Sequence, residues 1–123
     1  MKTVYIQNLT KPLKLPLKAR FYDDFISRGI GLMFHPLLDI SDGIVLVGKS
    51  ESRLESSIHM FFMRMNLTVI WLNKQYVIVD VKLAKRWHPI YLPIQPAQYV
   101  LEVSESRLKE FSVGDQLQFN FGD

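Results

Sequence analysis

The sequence predicts a mostly β protein, either an antiparallel β-sandwich of jelly-roll type or a partly open barrel, with one or two short helices. Apolar or alternating runs of strand length recur along the chain, at residues 3–7, 44–47, 67–72, 77–81, 99–103 and 117–121. Helical spacing is confined to residues 23–33 and 104–111. About seven or eight strands with two short helices are typical of a sandwich or a partly open barrel.

The remaining apolar runs are less regular. Residues 17–22 form a predicted strand, and Pro12 and Pro16 place it at a sheet edge, where a missing backbone donor is tolerated. Residues 48–57 are rich in serine and charge and are predicted as a loop. Residues 58–65 and 67–72 do not alternate cleanly, which predicts two strands at the sheet centre or facing a pocket.

Two short helices and one irregular stretch complete the prediction. The aspartate pair at residues 23–24 can cap the first helix, while Gly29 and Gly31 weaken it by roughly 1 kcal/mol each relative to alanine. Such a helix must be held by packing against the sheet, and Pro36 ends it. Ser104 can cap the second helix. Prolines make residues 84–98 irregular because each one lacks a backbone donor.

Length and composition bound the class of protein. The chain has 123 residues, a hydrophobic fraction of 48% and no cysteine. We expect one domain over residues 1–123, large enough to form its own core. Without cysteine it forms neither a disulfide framework nor a thiolate metal site. No run approaches the ~18 apolar residues of a membrane span, and the N-terminal stretch does not resemble a signal peptide, so we expect a cytoplasmic protein.

Basic residues are unevenly distributed, although the formal net charge is only +3. One group precedes the first acidic residue and a second lies past the middle of the chain: Lys2, Lys11, Lys14, Lys18 and Arg20, then Lys82, Lys85 and Arg86 with His88. Such clusters can contact nucleic acid or an anionic surface. The alternative, which we favour at this net charge, is a solvated face with lysines protecting exposed strand edges.

Five stretches of sequence occur in a characteristic order: residues 27–34 (SRGIGLMF), residues 58–64 (IHMFFMR), Trp87, residues 96–102 (PAQYVLE) and residues 113–115 (VGD). In this order they resemble the prokaryotic domain-of-unknown-function family 192, over residues 20–121 of this chain. The resemblance implies a compact jelly-roll-like β-sandwich with one short helix that carries the GLMF motif. It implies no established biochemical activity.

The chain departs from the family pattern in three places. Where members usually have Pro-(Leu/Ile)-Asp after the HMFFM-like strand, this chain has residues 66–68 (NLT), so Thr68 replaces a carboxylate. The hairpin after residues 73–74 (NK) lacks the usual glycine, and so does the segment at residues 104–106 (SES). If the family's aspartate has a chemical role, this chain has lost it.

Two arginines belong to the predicted binding surface, and each has a structural alternative. Arg28, in the first predicted helix, can clamp a carboxylate or a phosphate. Its alternative, which we favour, is a surface ion pair with Asp23 or Asp24. Arg64 is the charged residue of an apolar run, which indicates either that the strand emerges into solvent or that a buried anion lies beside it.

The histidines do not predict a metal site. A zinc site needs three or four convergent ligands, and no pair among His35, His59 and His88 has helix-face spacing. His59 shares a predicted strand face with apolar residues, which favours a core histidine with one hydrogen bond. The alternative places His59 at the mouth of a pocket.

The proline-rich loop supplies the rest of the predicted binding surface, with Trp87, His88 and Tyr91 close together. Tryptophan and tyrosine are amphipathic and are enriched at binding surfaces. The alternative is a lid that closes one end of the sandwich.

We therefore expect a small non-enzymatic binding or accessory domain that recognises a small anionic ligand or a protein partner. The alternative is a protein that binds nucleic acid weakly and without specificity, against which we count the lack of a stacking-aromatic RNA motif in a strand. A third hypothesis is an enzyme with His59 or His35 as a base. No nucleophile elbow or phosphate-binding loop occurs, so we predict no catalytic residues, no cofactor and no metal. The oligomeric state is left open.

The apolar pattern predicts one common core of Leu32, Met33, Phe34, Ile44, Leu46, Ile70, Val79, Leu101 and Phe119. Truncating Leu101 to alanine should then cost about 2–5 kcal/mol of unfolding free energy, the range for buried leucines. Chemical denaturation measures this loss. A loss below about 1 kcal/mol would place Leu101 outside the core.

Overall fold

The computed structural model describes residues 2–22, 39–60 and 63–122. Seven strands and one 3₁₀ helix follow one another along this part of the chain: β1 Lys2–Asn8, β2 Lys18–Tyr22, β3 Asp42–Ser52, β4 Leu67–Leu72, β5 Ile78–Ala84, β6 Ala97–Ser104, the 3₁₀ helix Glu105–Glu110, and β7 Leu117–Gly122. The predicted first helix, with Arg28 and the GLMF motif, lies outside the described residues. In the described part, no helix has the length and apolar character that crossing a membrane requires.

The seven strands form one sheet in the order β5-β4-β6-β3-β2-β1-β7. The mostly β class is therefore confirmed. The antiparallel prediction is wrong for one pair, since β2 and β3 run parallel, with Lys18 opposite Asp42. Parallel neighbours need a connection of roughly a dozen residues or more, and residues 23–41 provide that length.

One face of the sheet encloses the main core. Its buried side chains come from every strand: Val4, Ile6, Ala19, Val45, Ile70, Leu72, Ile78, Leu101, Val103, Leu117 and Phe119. The two edges of the sheet meet near the starts of β5 and β7, where Val77 bridges Gln116 and the Ile78 amide donates to the Asp115 carbonyl oxygen at 2.9 Å. The sheet is therefore a partly open barrel.

A second apolar cluster lies on the outer face of β3, β6, β4 and β5. It contains Ile44, Leu46, Val69, Trp71, Val79 and Val100, covered by Ile58, Met60 and Met63. The predicted single core is therefore wrong, because successive strand residues point to opposite faces. Leu101 and Phe119 belong to the barrel interior, whereas Ile44, Leu46 and Val79 belong to the outer cluster. Residues 32–34 lie outside the described residues.

Three predicted elements need correction. The predicted strand at residues 58–65 is not a strand in its described part, where Ile58 makes only an isolated bridge with Tyr91. Ile58, Met60 and Met63 of this run belong to the outer cluster. The predicted loop at residues 48–57 is partly strand, since β3 continues to Ser52 across a register shift that follows Val47. β2 lies between β1 and β3 rather than at an edge, because the prolines precede it and remove none of its own donors.

Several local predictions are confirmed. All six residues of β4 are buried, as expected for a strand between two neighbours. Ser104 caps the 3₁₀ helix by accepting a hydrogen bond from the Ser106 amide at 3.4 Å. Gly114 takes a φ of 95° in the turn before β7, a conformation that glycine adopts without penalty.

A buried guanidinium joins the 3₁₀ helix to two segments that precede strands. Arg107 is fully buried; its Nη1 donates to the Pro16 and Ile40 carbonyl oxygens at 3.2 and 2.8 Å, and its Nη2 donates to that of Leu15 at 2.7 Å. Nε and Nη2 also donate to the Glu110 carboxylate at 2.8 and 3.1 Å. The five N–H groups of the side chain all have acceptors, which is what a buried charge requires.

The contact with Arg107 lowers the pKa of the Glu110 carboxyl group. Burial raises the pKa of Glu110, but the hydrogen bonds and charge of Arg107, together with the Lys14 amide and ammonium, outweigh it and hold the pKa below its ordinary value of 4.5. A depressed folded-state pKa means that the ionised carboxylate stabilises the fold.

We expect this stabilisation to be complete above the unfolded pKa, about 4.5, and to be lost as the pH falls through the lower folded pKa. Glu110→Gln should therefore unfold at lower urea concentration than the wild type at neutral pH, and its stability should change less between about pH 5 and pH 3. Urea denaturation across this range measures both effects. Glu55→Gln, at an exposed carboxylate, is the matched control. Parallel curves for the wild type and Glu110→Gln would contradict the prediction.

Candidate binding site

The irregular stretch after β5 is fastened to the segment at residues 58–60 by backbone hydrogen bonds. The Trp87 amide donates to the Met60 carbonyl oxygen at 2.7 Å, and the Met60 amide donates to that of His88 at 3.0 Å. Ile58 and Tyr91 exchange two hydrogen bonds of 2.9 and 2.7 Å. These four bonds hold the loop at residues 85–91, here called the basic loop, over the outer cluster.

Further bonds fix the turn within the basic loop. The Arg86 amide donates to Asn66 Oδ1 at 2.9 Å, and the Lys85 amide donates to the Tyr91 hydroxyl at 2.9 Å. The His88 amide closes the turn onto the Lys85 carbonyl oxygen at 3.2 Å. Trp87 takes a φ of 67°, a left-handed conformation that costs a bulky residue about 1–2 kcal/mol. Such strain persists only where the surrounding bonds impose it, and it is concentrated at functional sites.

Lys82 supports the loop through its ammonium, although 38% of its side chain is exposed. Its ammonium donates to the Leu92 carbonyl oxygen and lies 3.5 Å from Asp80 Oδ2. The same Asp80 oxygen accepts a hydrogen bond from the Ile94 amide at 2.9 Å. The Lys82 ammonium also lies 5.7 Å from the ring centroid of Trp71. The predicted basic group therefore divides into one structural lysine and an exposed remainder.

The exposed remainder is aromatic as well as basic. Lys85, Arg86 and His88 are exposed, and 55% of Trp87 is exposed. The His88 and Tyr91 rings meet edge to face, with 4.2 Å between centroids. Trp87 is therefore not a buried lid, whereas Tyr91 is partly buried and packs against the outer cluster.

Two more of the predicted residues lie in the segments whose residues contact the loop. His59 is exposed, which makes the core interpretation wrong, and it lies between Ile58 and Met60, the residues that pair with the loop. Arg64 is exposed, in keeping with emergence into solvent, and lies two residues before Asn66. Arg28 and His35 lie outside the described residues.

Asn66 is a residue of this surface that the sequence did not predict. Its side-chain oxygen holds the Arg86 amide, and its Nδ2 lies 3.4 Å from Glu105 Oε2. The available signal was its place in residues 66–68, where the chain departs from the family pattern. Over the residues that the structure describes, no group of three His, Asp or Glu side chains is placed to hold a metal ion.

Two clefts lined by described residues lie away from the basic loop. One, of about 610 Å³, follows the chain from Tyr5 to Leu17. The other, of about 260 Å³, is lined by Thr3, residues 18–20 and residues 42–44. The basic loop lines neither of these two clefts.

The strain at Trp87 can be measured directly. Trp87→Ala should keep the melting temperature within a few degrees, a change of order 1 kcal/mol. Trp87→Gly should be more stable than Trp87→Ala by about 1 kcal/mol, because alanine must still adopt a positive φ. At His88, where φ is not positive, His88→Gly should instead be less stable than His88→Ala by about 0.4–1 kcal/mol. Thermal melts of these four variants decide this, and a lower stability of Trp87→Gly than of Trp87→Ala would contradict it.

Known proteins resemble this chain over nearly its whole length. A UPF0127 protein of Pyrococcus furiosus is 36% identical over 115 residues, which cover 92% of this chain and 96% of that protein. A candidate transcription regulator from Sinorhizobium meliloti has a TM-score of 0.79 at 18% identity, covering 96% of this chain and 92% of that one. A protein of unknown function from Novosphingobium aromaticivorans has a TM-score of 0.77 at 16% identity, covering 94% and 83%. These two structures are similar in fold.

The sequence resemblance to domain-of-unknown-function family 192 is confirmed by the model of that family, described as an uncharacterized ACR, which matches residues 7–119. The match begins within β1, earlier than the resemblance at residues 20–121, and it includes the basic loop. The chain therefore belongs to domain-of-unknown-function family 192.

Proposed function

We propose that this protein binds an acidic segment of a cytoplasmic protein partner through the basic loop. The observation that carries the proposal is Trp87, which is 55% exposed at a φ of 67°. A strained backbone that presents a large aromatic side chain to solvent does not serve core packing. Tryptophan and arginine, adjacent here, are the residues that most often dominate the energy of protein interfaces.

The charge of the surface selects an acidic partner. Arg64, Lys85 and Arg86 are exposed, whereas the carboxylate of Asp80 is engaged by Lys82 and by the Ile94 amide. The carboxylate of Glu105 contacts this surface through Asn66 Nδ2, at 3.4 Å. The balance is positive, and complementary charge mainly supplies specificity and rate of association.

The hydrogen bonds of the loop support tight presentation of the tryptophan. The amides of Lys85, Arg86, Trp87 and His88 all have acceptors within the protein. A loop held in this way loses little backbone entropy on binding, so more of the contact energy appears as affinity.

Intrinsic fluorescence tests the proposal without a label. Trp71 is fully buried, with its Nε1 donating to the Ser56 carbonyl oxygen at 2.7 Å, so a ligand at the surface changes mainly the emission of Trp87. We would titrate the full chain with glutamate-rich peptides that carry one leucine, and with citrate as a small carboxylate. We expect a saturable change with a peptide that weakens as salt is added.

Variants locate the binding. Trp87→Ala, followed by calorimetry, should weaken it by about 30-fold or more, as for an interface hot spot. Arg86→Ala should weaken it by up to about five-fold, as for one exposed ion pair. Lys49→Ala removes an exposed charge elsewhere and should change nothing. Unchanged affinity in Trp87→Ala, or saturation by citrate with no response to any peptide, would overturn the proposal.

A further inference from the structure

The outward face of β1, β2 and β7 carries a second exposed aromatic ring. Thr3, Tyr5 and Gln7 alternate with the interior residues of β1. Tyr5 lies opposite Lys18 of β2 and Asn120 of β7. Residues opposite each other on paired strands share a face. Tyr5 is therefore the centre of a row that holds a cation on one side and an amide on the other.

The neighbouring rows extend this pattern. Thr3 lies opposite Arg20 and Gly122, and Gln7 lies opposite Gln118. Arg20 and Gln118 are exposed, as are Lys18 and Asn120. The face thus combines an aromatic ring with two cations and three side-chain amides, which can donate and accept hydrogen bonds.

The Tyr5 ring has a rigid support. A Cβ atom placed on Gly122 would lie 2.9 Å from Tyr5 Cε2, so the ring rests against the backbone of this glycine. Even so, 49% of Tyr5 is exposed. The ring is supported from the sheet while the rest of it is open to solvent, which is the arrangement of a stacking platform.

The two clefts continue the face along β1 in both directions from Tyr5. The larger, of about 610 Å³, is lined by Tyr5 and Gln7 and then by Leu9, Lys14 and Leu15. The smaller, of about 260 Å³, is lined by Thr3, Lys18 and Arg20, with Asp42 as its carboxylate. Among the described residues that line the two clefts there are thus three cations and one carboxylate.

We propose that this face binds single-stranded nucleic acid, with one base stacked on Tyr5, phosphates beside Lys18 and Arg20, and the next base in the larger cleft. Stacking on an aromatic ring beside cations is the usual mode of binding for single strands, and it tolerates any base sequence. Bases in a duplex are already stacked and do not expose their rings, so the face should discriminate against double strands. This inference does not depend on the basic loop.

Fluorescence anisotropy with a labelled oligothymidylate of about 12 nucleotides, within the usual range of site sizes, provides the test on the full chain. Tyr5→Ala should weaken binding by about 5-fold to 100-fold, the effect of losing one stacked base, and Tyr5→Phe should retain it. Gly122→Ala should also weaken binding, because the added Cβ displaces the ring.

The salt dependence tests the cations separately. For single strands, log K falls by about 0.7 per phosphate contact for each unit of log salt. The double variant Lys18→Ala, Arg20→Ala should therefore reduce this slope by about 1.4. Lys49→Ala, at an exposed lysine outside the face, is the control and should leave both the affinity and the slope unchanged.

Three results would overturn the inference. The first is an affinity that is unchanged in a folded Tyr5→Ala variant. The second is equal competition by a duplex of the same length. The third is that Trp87→Ala loses binding while Tyr5→Ala keeps it. The last result would assign nucleic acid to the basic loop. Far-UV circular dichroism establishes whether each variant is folded. If Tyr5→Ala is not folded, the double variant Lys18→Ala, Arg20→Ala decides the outcome.

Discussion

The buried Arg107 guanidinium is the contact on which the N-terminal half of the sheet depends. It donates hydrogen bonds to the Glu110 carboxylate and to the carbonyl oxygens of Pro16 and Ile40. Each of these two residues lies two positions before the first register pair of the parallel strands, Lys18 with Asp42. One side chain on the 3₁₀ helix therefore aligns the starts of two strands that are distant in sequence. Its burial is tolerated because each of its donors is matched, and removal of either charge would leave the other uncompensated.

The same clamp shapes the surface that carries Tyr5. Arg107 holds the Leu15 and Pro16 carbonyl oxygens, and Glu110 accepts a hydrogen bond from the Lys14 amide at 3.3 Å. These residues form one wall of the larger cleft. The wall of the cleft is thus fixed by hydrogen bonds and does not have to form when a ligand arrives. Prolines at residues 12 and 16 add stiffness to the same wall, since each fixes one backbone angle.

The outer face of the sheet is divided between a covered part and an open part. Over β3, β6 and β4 it is apolar and covered by Ile58, Met60 and Met63, and this cover anchors the basic loop. Over β1, β2 and β7 it is polar, with Tyr5 as its exposed ring.

Two departures from the family pattern are accommodated by local structure. Thr68 is buried and donates to the Glu105 carbonyl oxygen at 3.3 Å, and Tyr76 takes a φ of 65° in the hairpin that lacks a glycine.

The sequence by itself determined the elements whose signals are local. The alternation in β7, the buried run in β4 and the Ser104 cap are consequences of neighbours along the chain, and they formed where expected. Only the tertiary structure decided which face each residue occupies. The apolar run that begins at Ile58 resembles a strand, but Ile58, Met60 and Met63 cover a sheet. Arg107 is charged and nevertheless fully buried. Tyr5 alternates like any strand residue, and its exposure depends on what lies across β1. Burial and strand pairing depend on residues that are far apart in the chain. A local sequence pattern therefore does not predict them.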